Sequence, residues 1–121
     1  VQFAAIRAFQ EDLQEDKEAM RVQFQKRIEL FHGLIQEIPG MSCVKPGGAF
    51  YLFVNIQEAM KIVGVETSDA FALKLLEEVG VATVSGENFG CTGYLRLSCA
   101  SSEEELKNAA QRMNQFVRNY L

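Results

Sequence analysis

Residues that build metal centres and disulfide frameworks are scarce in this chain. Its 121 residues include one histidine, three cysteines, two prolines and no tryptophan. The cysteines are odd in number and lack C-x-x-C spacing, so a secreted disulfide framework is not expected. Because His32 is the only histidine, no zinc site is expected either, and no bound metal is predicted.

Excess positive charge and long apolar runs are also absent. Lys and Arg total 12 against 16 Asp and Glu, which gives a net charge of −4. Without a basic stripe, a sequence-independent grip on nucleic acid is not expected. The apolar runs are too short to cross a bilayer and no signal peptide is visible, so we expect a cytoplasmic protein that binds no membrane.

The first residues of the chain lack an initiator Met and a residue that usually caps the start of a helix. Val1 opens an apolar, alanine-rich segment without an initiator Met and without a Ser, Thr, Asp or Asn that could cap a helix. We interpret this segment as an element of a longer polypeptide. The length is sufficient for one domain with its own core, which we assign to residues 1–121.

Helical periodicity marks four segments. Residues 1–38 are predicted to form two helices, the second with apolar residues at alternating steps of four and three. A third helix is predicted near residues 68–79, and a fourth follows two overlapping S-x-x-E capping patterns. The predicted boundaries are Pro39 and Gly40 after the second helix, Thr67 or Ser68 and Gly80 around the third, and Ser101 or Ser102 before the fourth.

Three segments are predicted to be strands: residues 49–56, 81–84 and 94–99. The first has apolar residues on both faces, which favours a central strand that is buried on both sides. The fold class is therefore α/β, in an α+β-like form, with a small sheet of about three strands packed against helices.

Arg96 is the most informative single position. In the strand 94–99, it points to the side opposite Leu95 and Leu97. One interpretation is a solvent-facing or ion-paired arginine, as charged residues usually stay exposed. The other is a guanidinium that binds a carboxylate with two parallel hydrogen bonds. The residue pattern alone leaves both open.

Several motifs occur together in a recognisable order. Residues 46–53 read PGGAFYLF, residues 81–90 read VATVSGENFG, and residues 93–98 read GYLRLS. The final helix contains Arg112-Met113, and the long second helix contains Lys26-Arg27. This series resembles the class I and II aminotransferases, the aspartate-aminotransferase-like enzymes of fold type I, and covers only their C-terminal small domain.

The resemblance carries functional expectations. Such enzymes use pyridoxal phosphate to transfer an amino group between an amino acid and a 2-oxo acid, and the lysine that holds the cofactor belongs to the large domain. Arg96 matches the arginine that binds the substrate α-carboxylate, and Phe50 matches a position that lines the cleft near the cofactor. Phe50 is equally compatible with an ordinary core position. The full-length enzyme is expected to be a homodimer.

Other candidate residues receive structural interpretations. The lysines lie on polar helix faces or in loops, so none is expected to be catalytic and the isolated chain is expected to be inactive. His32 has no partners at triad spacing. Ser85 stands where the family usually has proline, a residue that fixes φ, so the loop is expected to be looser or to take another path.

Two rival functions remain open. The same scaffold supports related pyridoxal-phosphate lyases and synthases, because the cofactor carries the chemistry and the large domain selects the bond. A freestanding interaction module is the non-enzymatic alternative. In that case the alanine-rich surface near Val1 is the expected contact, and self-association should depend on concentration.

Overall fold

The chain begins with two helices, as the periodicity predicts. In the computed structural model, which describes residues 1–121, α1 spans Gln2–Gln10 and α2 spans Gln14–Gln36. The side chain of Asp12 accepts a hydrogen bond from the Gln14 amide at 3.1 Å, just ahead of α2. No residue of α1 is buried, whereas α2 buries Ile28, Phe31 and Ile35 along one face. Of these two helices, only α2 therefore contributes to the core.

Four short strands form one antiparallel sheet. They are β1 (Ser42–Cys43), β2 (Tyr51–Asn55), β3 (Val84–Ser85) and β4 (Tyr94–Ser98), in the spatial order β1-β2-β4-β3. The prediction of a small sheet is confirmed, with one strand more than expected. The strand predicted at residues 81–84 is misplaced, because β3 begins only at Val84. β1 was not predicted because two residues carry no readable alternation.

The central pair, β2 and β4, sets the register of the sheet. Its five residue pairs include Leu52 with Leu97 and Phe53 with Arg96. Side chains of paired residues lie on the same face, so the alternation along both strands produces two distinct faces. We call the face that bears Leu52, Val54, Leu95 and Leu97 the inner face, and the opposite one the outer face.

Helices cover the inner face. Two of these helices are α4 (Ser68–Val79) and α5 (Glu103–Arg118). All four inner-face aliphatic side chains are buried, and they join one continuous core with residues of α2, α4 and α5. The Phe71 ring of α4 meets the Phe116 ring of α5 edge-on, with centroids 5.5 Å apart.

The expectation that β2 is buried on both faces is wrong. The strand is central, as predicted, but Phe53 on its outer face remains 38% exposed. The apolar run did not reveal this, because hydrophobic sequence shows which residues avoid water and not which neighbour covers them. The outer face is consequently available for a site.

Capping residues place the third and fourth predicted helices correctly. Thr67 caps α4 by accepting a hydrogen bond from the Ala70 amide, and Gly80 ends it in the left-handed conformation at φ 67°. α5 begins with a complete capping box between Ser102 and Glu105.

One further helix, α3 (Gln57–Val63), was not predicted. Its two turns are too short for a readable periodicity, and it begins without a side-chain cap.

No helix of the chain combines the length and the apolar character that a membrane span requires.

Candidate functional site

The outer face of the sheet concentrates aromatic side chains around one arginine. Tyr51 and Phe53 come from β2, and Tyr94 and Arg96 come from β4. All four share one face because alternate residues of a strand point the same way and the register aligns the two strands. This arrangement is the candidate site.

The Arg96 guanidinium lies between two aromatic rings. Its Cζ atom is 4.6 Å from the centroid of the Tyr51 ring and 4.7 Å from that of Phe89. Both distances are within the range of cation–π attraction, which stabilises a partly desolvated cation. The side chain is half-buried by these contacts.

Arg96 forms no ion pair within the chain. The six ion pairs of the protein involve Arg7, Arg21, Lys26, Lys45, Lys61 and Lys74. The ion-paired interpretation of Arg96 therefore does not hold within this chain, whereas the solvent-facing one stays open, because the half-buried side chain lies on the open face of the sheet. The aromatic rings shield the cation while leaving its N–H donors without a carboxylate acceptor.

Further aromatic contacts fix the rings of the site. Phe53 stacks on Tyr94 with centroids 5.0 Å apart and planes 13° apart, and it meets Phe89 edge-on at 6.2 Å. The Asn55 side-chain amide donates to the Tyr94 hydroxyl at 3.4 Å. Such aromatic pairs add stabilisation beyond their buried area.

Phe89 reaches the site from a single 3₁₀ turn, Gly86–Phe89, that follows β3. A Cβ atom at Gly86 would lie 2.0 Å from the Cys91 carbonyl oxygen, so only glycine allows this close approach of the backbone. Ser85, directly before the turn, has φ −69° and ψ 149°. Proline adopts the same φ, so the backbone at Ser85 keeps a path that proline could also follow.

Phe50 lies outside the hydrophobic core. It is 40% exposed and packs between Phe24 of α2, at 5.7 Å, and Tyr51, at 4.3 Å between ring centroids. The core interpretation of Phe50 is therefore wrong. The ring lines a cavity of about 590 Å³ between α2 and residues 45–50, and Tyr51 links it to Arg96. That Phe50 lines a cofactor cleft stays a prediction.

The residue before Phe50 has unusual backbone geometry. Ala49 is the only non-glycine residue with a positive φ, at 62°. For a residue with a Cβ atom this conformation costs roughly 1 kcal/mol, and such residues often cluster at functional sites.

The other candidate residues have structural partners. His32 Nε2 lies 2.9 Å from the Cys43 carbonyl oxygen, which it can contact only as a donor. All lysines except Lys74 are exposed, and Lys74 donates to Glu78 at 3.1 Å and to the Tyr120 hydroxyl at 2.6 Å. These two hydrogen bonds, that of Tyr120 first, raise the pKa of Lys74. No group of three His, Cys, Asp or Glu side chains is arranged to hold a metal ion.

Sequence reasoning identified Arg96 but missed its aromatic surroundings. The sequence did carry a signal for three of the rings. Once β2 and β4 are paired, alternation places Tyr51, Phe53 and Tyr94 on the same face of the sheet as Arg96. Phe89 gave no such signal. It lies in a turn, and its position depends on the folding of the whole loop.

Comparison with known proteins identifies the family. An aspartate aminotransferase of Geobacillus stearothermophilus is 44% identical over 116 residues, which are 96% of this chain and 29% of that protein. An asparagine–oxo-acid transaminase of Streptococcus mutans is 40% identical, also over 96% of this chain and 29% of that protein.

A crystal structure of an aromatic aminotransferase from Pyrococcus horikoshii matches 99% of this chain and 32% of its own, with a TM-score of 0.84 and 33% identity. The chain thus spans less than a third of the length of these relatives. Residues 1–113 match the family model "Aminotransferase class I and II", so the resemblance of the motifs is confirmed and the chain belongs to this family.

Proposed function

We propose that this chain forms the substrate-carboxylate side of a pyridoxal-phosphate-dependent aminotransferase, and that Arg96 binds the α-carboxylate of the amino acid. One observation carries the assignment of Arg96. Its guanidinium is held between Tyr51 and Phe89 on the open face of the sheet, and it has no carboxylate partner in a chain with 16 acidic residues.

The geometry suits a carboxylate ligand. A guanidinium presents planar N–H donors that match the two oxygens of a carboxylate, and the resulting bidentate pair fixes orientation as well as distance. Tyr51 and Phe89 restrict the rotation of the cation and reduce its hydration, which strengthens its interaction with an incoming anion. Arg96 thereby positions the substrate and takes no part in proton transfer.

The cofactor is proposed to be held by the rest of the full-length enzyme. Pyridoxal phosphate supplies an electron sink for the carbon that loses its proton. A lysine that binds it needs a desolvated or cation-flanked setting, and no lysine of this chain has one. No lysine of this chain therefore fits the role of the cofactor-binding lysine, and the contribution that we propose for Arg96 is to substrate binding.

The cofactor proposal has a direct check in the isolated chain. Borohydride reduction in the presence of pyridoxal phosphate should leave no single lysine modified in stoichiometric amount. Peptide mapping by mass spectrometry measures this. One specific, stoichiometric adduct would show that the chain itself holds the cofactor.

The remaining properties of the full-length enzyme are proposed from the family. We infer a homodimer in which this domain packs against a large domain, with an amino acid and a 2-oxo acid as substrates. A cytoplasmic location fits three cysteines that form no disulfide. The relatives named above act on different amino acids by their names, so the side chain of the substrate is left unassigned.

Replacement of Arg96 with Lys in the full-length enzyme tests the central proposal. Lys keeps the positive charge but cannot form the bidentate hydrogen bonds of a guanidinium. The kcat/KM for the amino acid should therefore fall by the equivalent of about 2–5 kcal/mol. Pyridoxal phosphate binding, followed by absorbance, should be nearly unchanged.

A matched control is Arg118→Lys. Arg118 lies at the exposed end of α5, where its side chain donates to Asn114 at 3.0 Å, far along the chain from the site. This variant should keep the original kcat/KM. If Arg96→Lys also keeps it, Arg96 is not the carboxylate anchor.

A further inference from the structure

The first turn of α4 contacts the end of β3 and the loop that follows it, residues 85–93, at three points. The Ser85 hydroxyl donates to the Asp69 carboxylate. The Ser68 backbone amide donates to Glu87 Oε1 at 2.8 Å, and the Ser68 hydroxyl accepts from the Gly93 amide, also at 2.8 Å. The contacts are spaced along residues 85–93, so one helix turn fixes both ends and the middle of the loop.

Phe89 lies between these points of attachment. Its ring covers the Arg96 guanidinium from the loop side and is carried only by the single 3₁₀ turn Gly86–Phe89. The place of the ring therefore depends on the backbone of the loop, and the loop depends on its contacts with α4.

The three contacts are individually favourable. Ser68 and Ser85 are the only buried polar residues of the chain, with 0% and 3% exposure, so breaking their hydrogen bonds would leave hydroxyl groups unsatisfied away from water. Asp69 and Glu87 place negative charge at the N-terminus of α4, where the helix dipole stabilises it.

The carboxyl group of Glu87 responds to this environment. Burial by itself raises the pKa of Glu87, but hydrogen bonds, led by that of the Ser68 backbone amide, bring the pKa below its ordinary value. The group therefore remains charged and continues to accept the Ser68 amide at neutral pH.

Hydrogen bonds of the Ser85 side chain help to hold a backbone conformation that a proline ring would fix covalently. The Ser85 φ of −69° is the value that a proline ring enforces. Here the side chain fixes the residue instead, since the hydroxyl binds Asp69 and also accepts from Asn88 Nδ2 at 3.1 Å. A serine without these partners would keep only the pairing of β3 with β4 as a restraint.

We propose that Ser85, Asp69 and Ser68 are positioning residues of the carboxylate site, which act by holding Phe89 over Arg96. The proposal rests on the proposed function of Arg96 as the carboxylate anchor. The residues touch no substrate themselves. Their loss should weaken carboxylate binding, which is felt in KM, and should leave kcat nearly unchanged.

The test compares variants of the cofactor-loaded full-length enzyme. Ser85→Ala and Asp69→Ala each remove one side of the contact, and Asp69 is exposed, so its variant is expected to fold normally. Ser85→Thr keeps the hydroxyl and should restore the original behaviour. Ser42→Ala is the matched control, because Ser42 is an exposed serine of β1 without a side-chain hydrogen bond.

Three quantities are measured on each variant: KM, kcat and the rate of amide hydrogen exchange. Ser85→Ala and Asp69→Ala should raise KM for the amino acid about threefold to tenfold, the scale of one hydrogen bond, while kcat changes less than twofold. Amide hydrogen exchange of residues 86–93 should become faster in both. The Ser85→Thr and Ser42→Ala variants should match the original enzyme in KM and exchange.

The outcomes separate this proposal from the function on which it rests. Unchanged exchange in Ser85→Ala and Asp69→Ala, or faster exchange without a change in KM, would overturn the positioning role. Arg96→Lys is assayed in parallel. If that variant loses activity while the Ser85 and Asp69 variants keep their KM, only the positioning proposal fails; if Arg96→Lys is unaffected, the carboxylate anchor itself is refuted.

Discussion

The two faces of the same four strands have opposite characters. The inner face is aliphatic, and Leu52, Val54 and Leu95 have no exposed surface. The outer face is aromatic and partly open, with Arg96 held between Tyr51 and Phe89. Because neighbouring residues of a strand face opposite ways, alternate residues of the same short strands form the core and the proposed binding site.

The difference follows from what each face must do. The inner face gains its stabilisation from excluding water, for which aliphatic shape is sufficient. On the proposed function, the outer face must hold a cation that remains available to a ligand. Aromatic rings provide this, since their faces attract a cation without using up its N–H donors.

The largest effect is expected on the inner face. Leu52→Ala should lower the free energy of unfolding by about 2–5 kcal/mol, because it leaves a cavity in a fully buried site. Urea denaturation of the 121-residue chain measures this. A loss below about 1 kcal/mol would mean that the core relaxes around the cavity and that the two faces differ less than described here.

The neighbouring position provides the contrast. Phe53→Leu keeps an apolar side chain of moderate size but removes the stacking on Tyr94, so the loss should be about 0.5–1.5 kcal/mol. The same urea titration applies. If Phe53→Leu destabilises the chain as much as Leu52→Ala, the outer face is part of the core and the comparison is wrong.

Thiol chemistry sharpens the comparison without a change in stability. Cys43 and Cys99 are buried on the inner side, whereas Cys91 is partly exposed in the loop after Phe89. Burial, with a smaller contribution from Cys43, raises the pKa of Cys99 to about 11. At pH 8 only roughly one Cys99 thiol in a thousand is therefore the reactive thiolate.

Iodoacetamide at pH 8 should accordingly label Cys91 first. Cys43 and Cys99 should react only after urea unfolds the chain, and peptide mapping by mass spectrometry distinguishes the three sites. Labelling of Cys99 in the native chain at the rate of Cys91 would show that the inner face opens readily to solvent.

Much of this arrangement could be predicted from the sequence. Capping and periodicity predicted α2, α4 and α5, and an apolar run bounded by turn residues predicted β2. Alternation predicted β4 and the orientation of Arg96. The family could be recognised because its motifs are local runs of residues, as the match over residues 1–113 confirms.

The remainder depended on contacts between distant residues. β1 and α3 are too short to leave a pattern, and the open outer face reflects where the helices pack. The place of Phe89 depends on contacts between α4 and a loop about 20 residues later, which no local rule encodes.

The strand order β1-β2-β4-β3 has a consequence for how the proposed site is assembled. β2 and β4 are paired in space but are separated along the chain by α3, α4 and β3, so their association closes a long loop and comes at a high entropic cost.

Until β2 and β4 associate, Tyr51 and Arg96 are unconnected, and Arg96 is an ordinary hydrated cation. On the proposed function of Arg96, affinity for a carboxylate should therefore appear only when folding is complete. A carboxylate ligand would then bind only the folded chain and, by mass action, would shift partly folded molecules into that state.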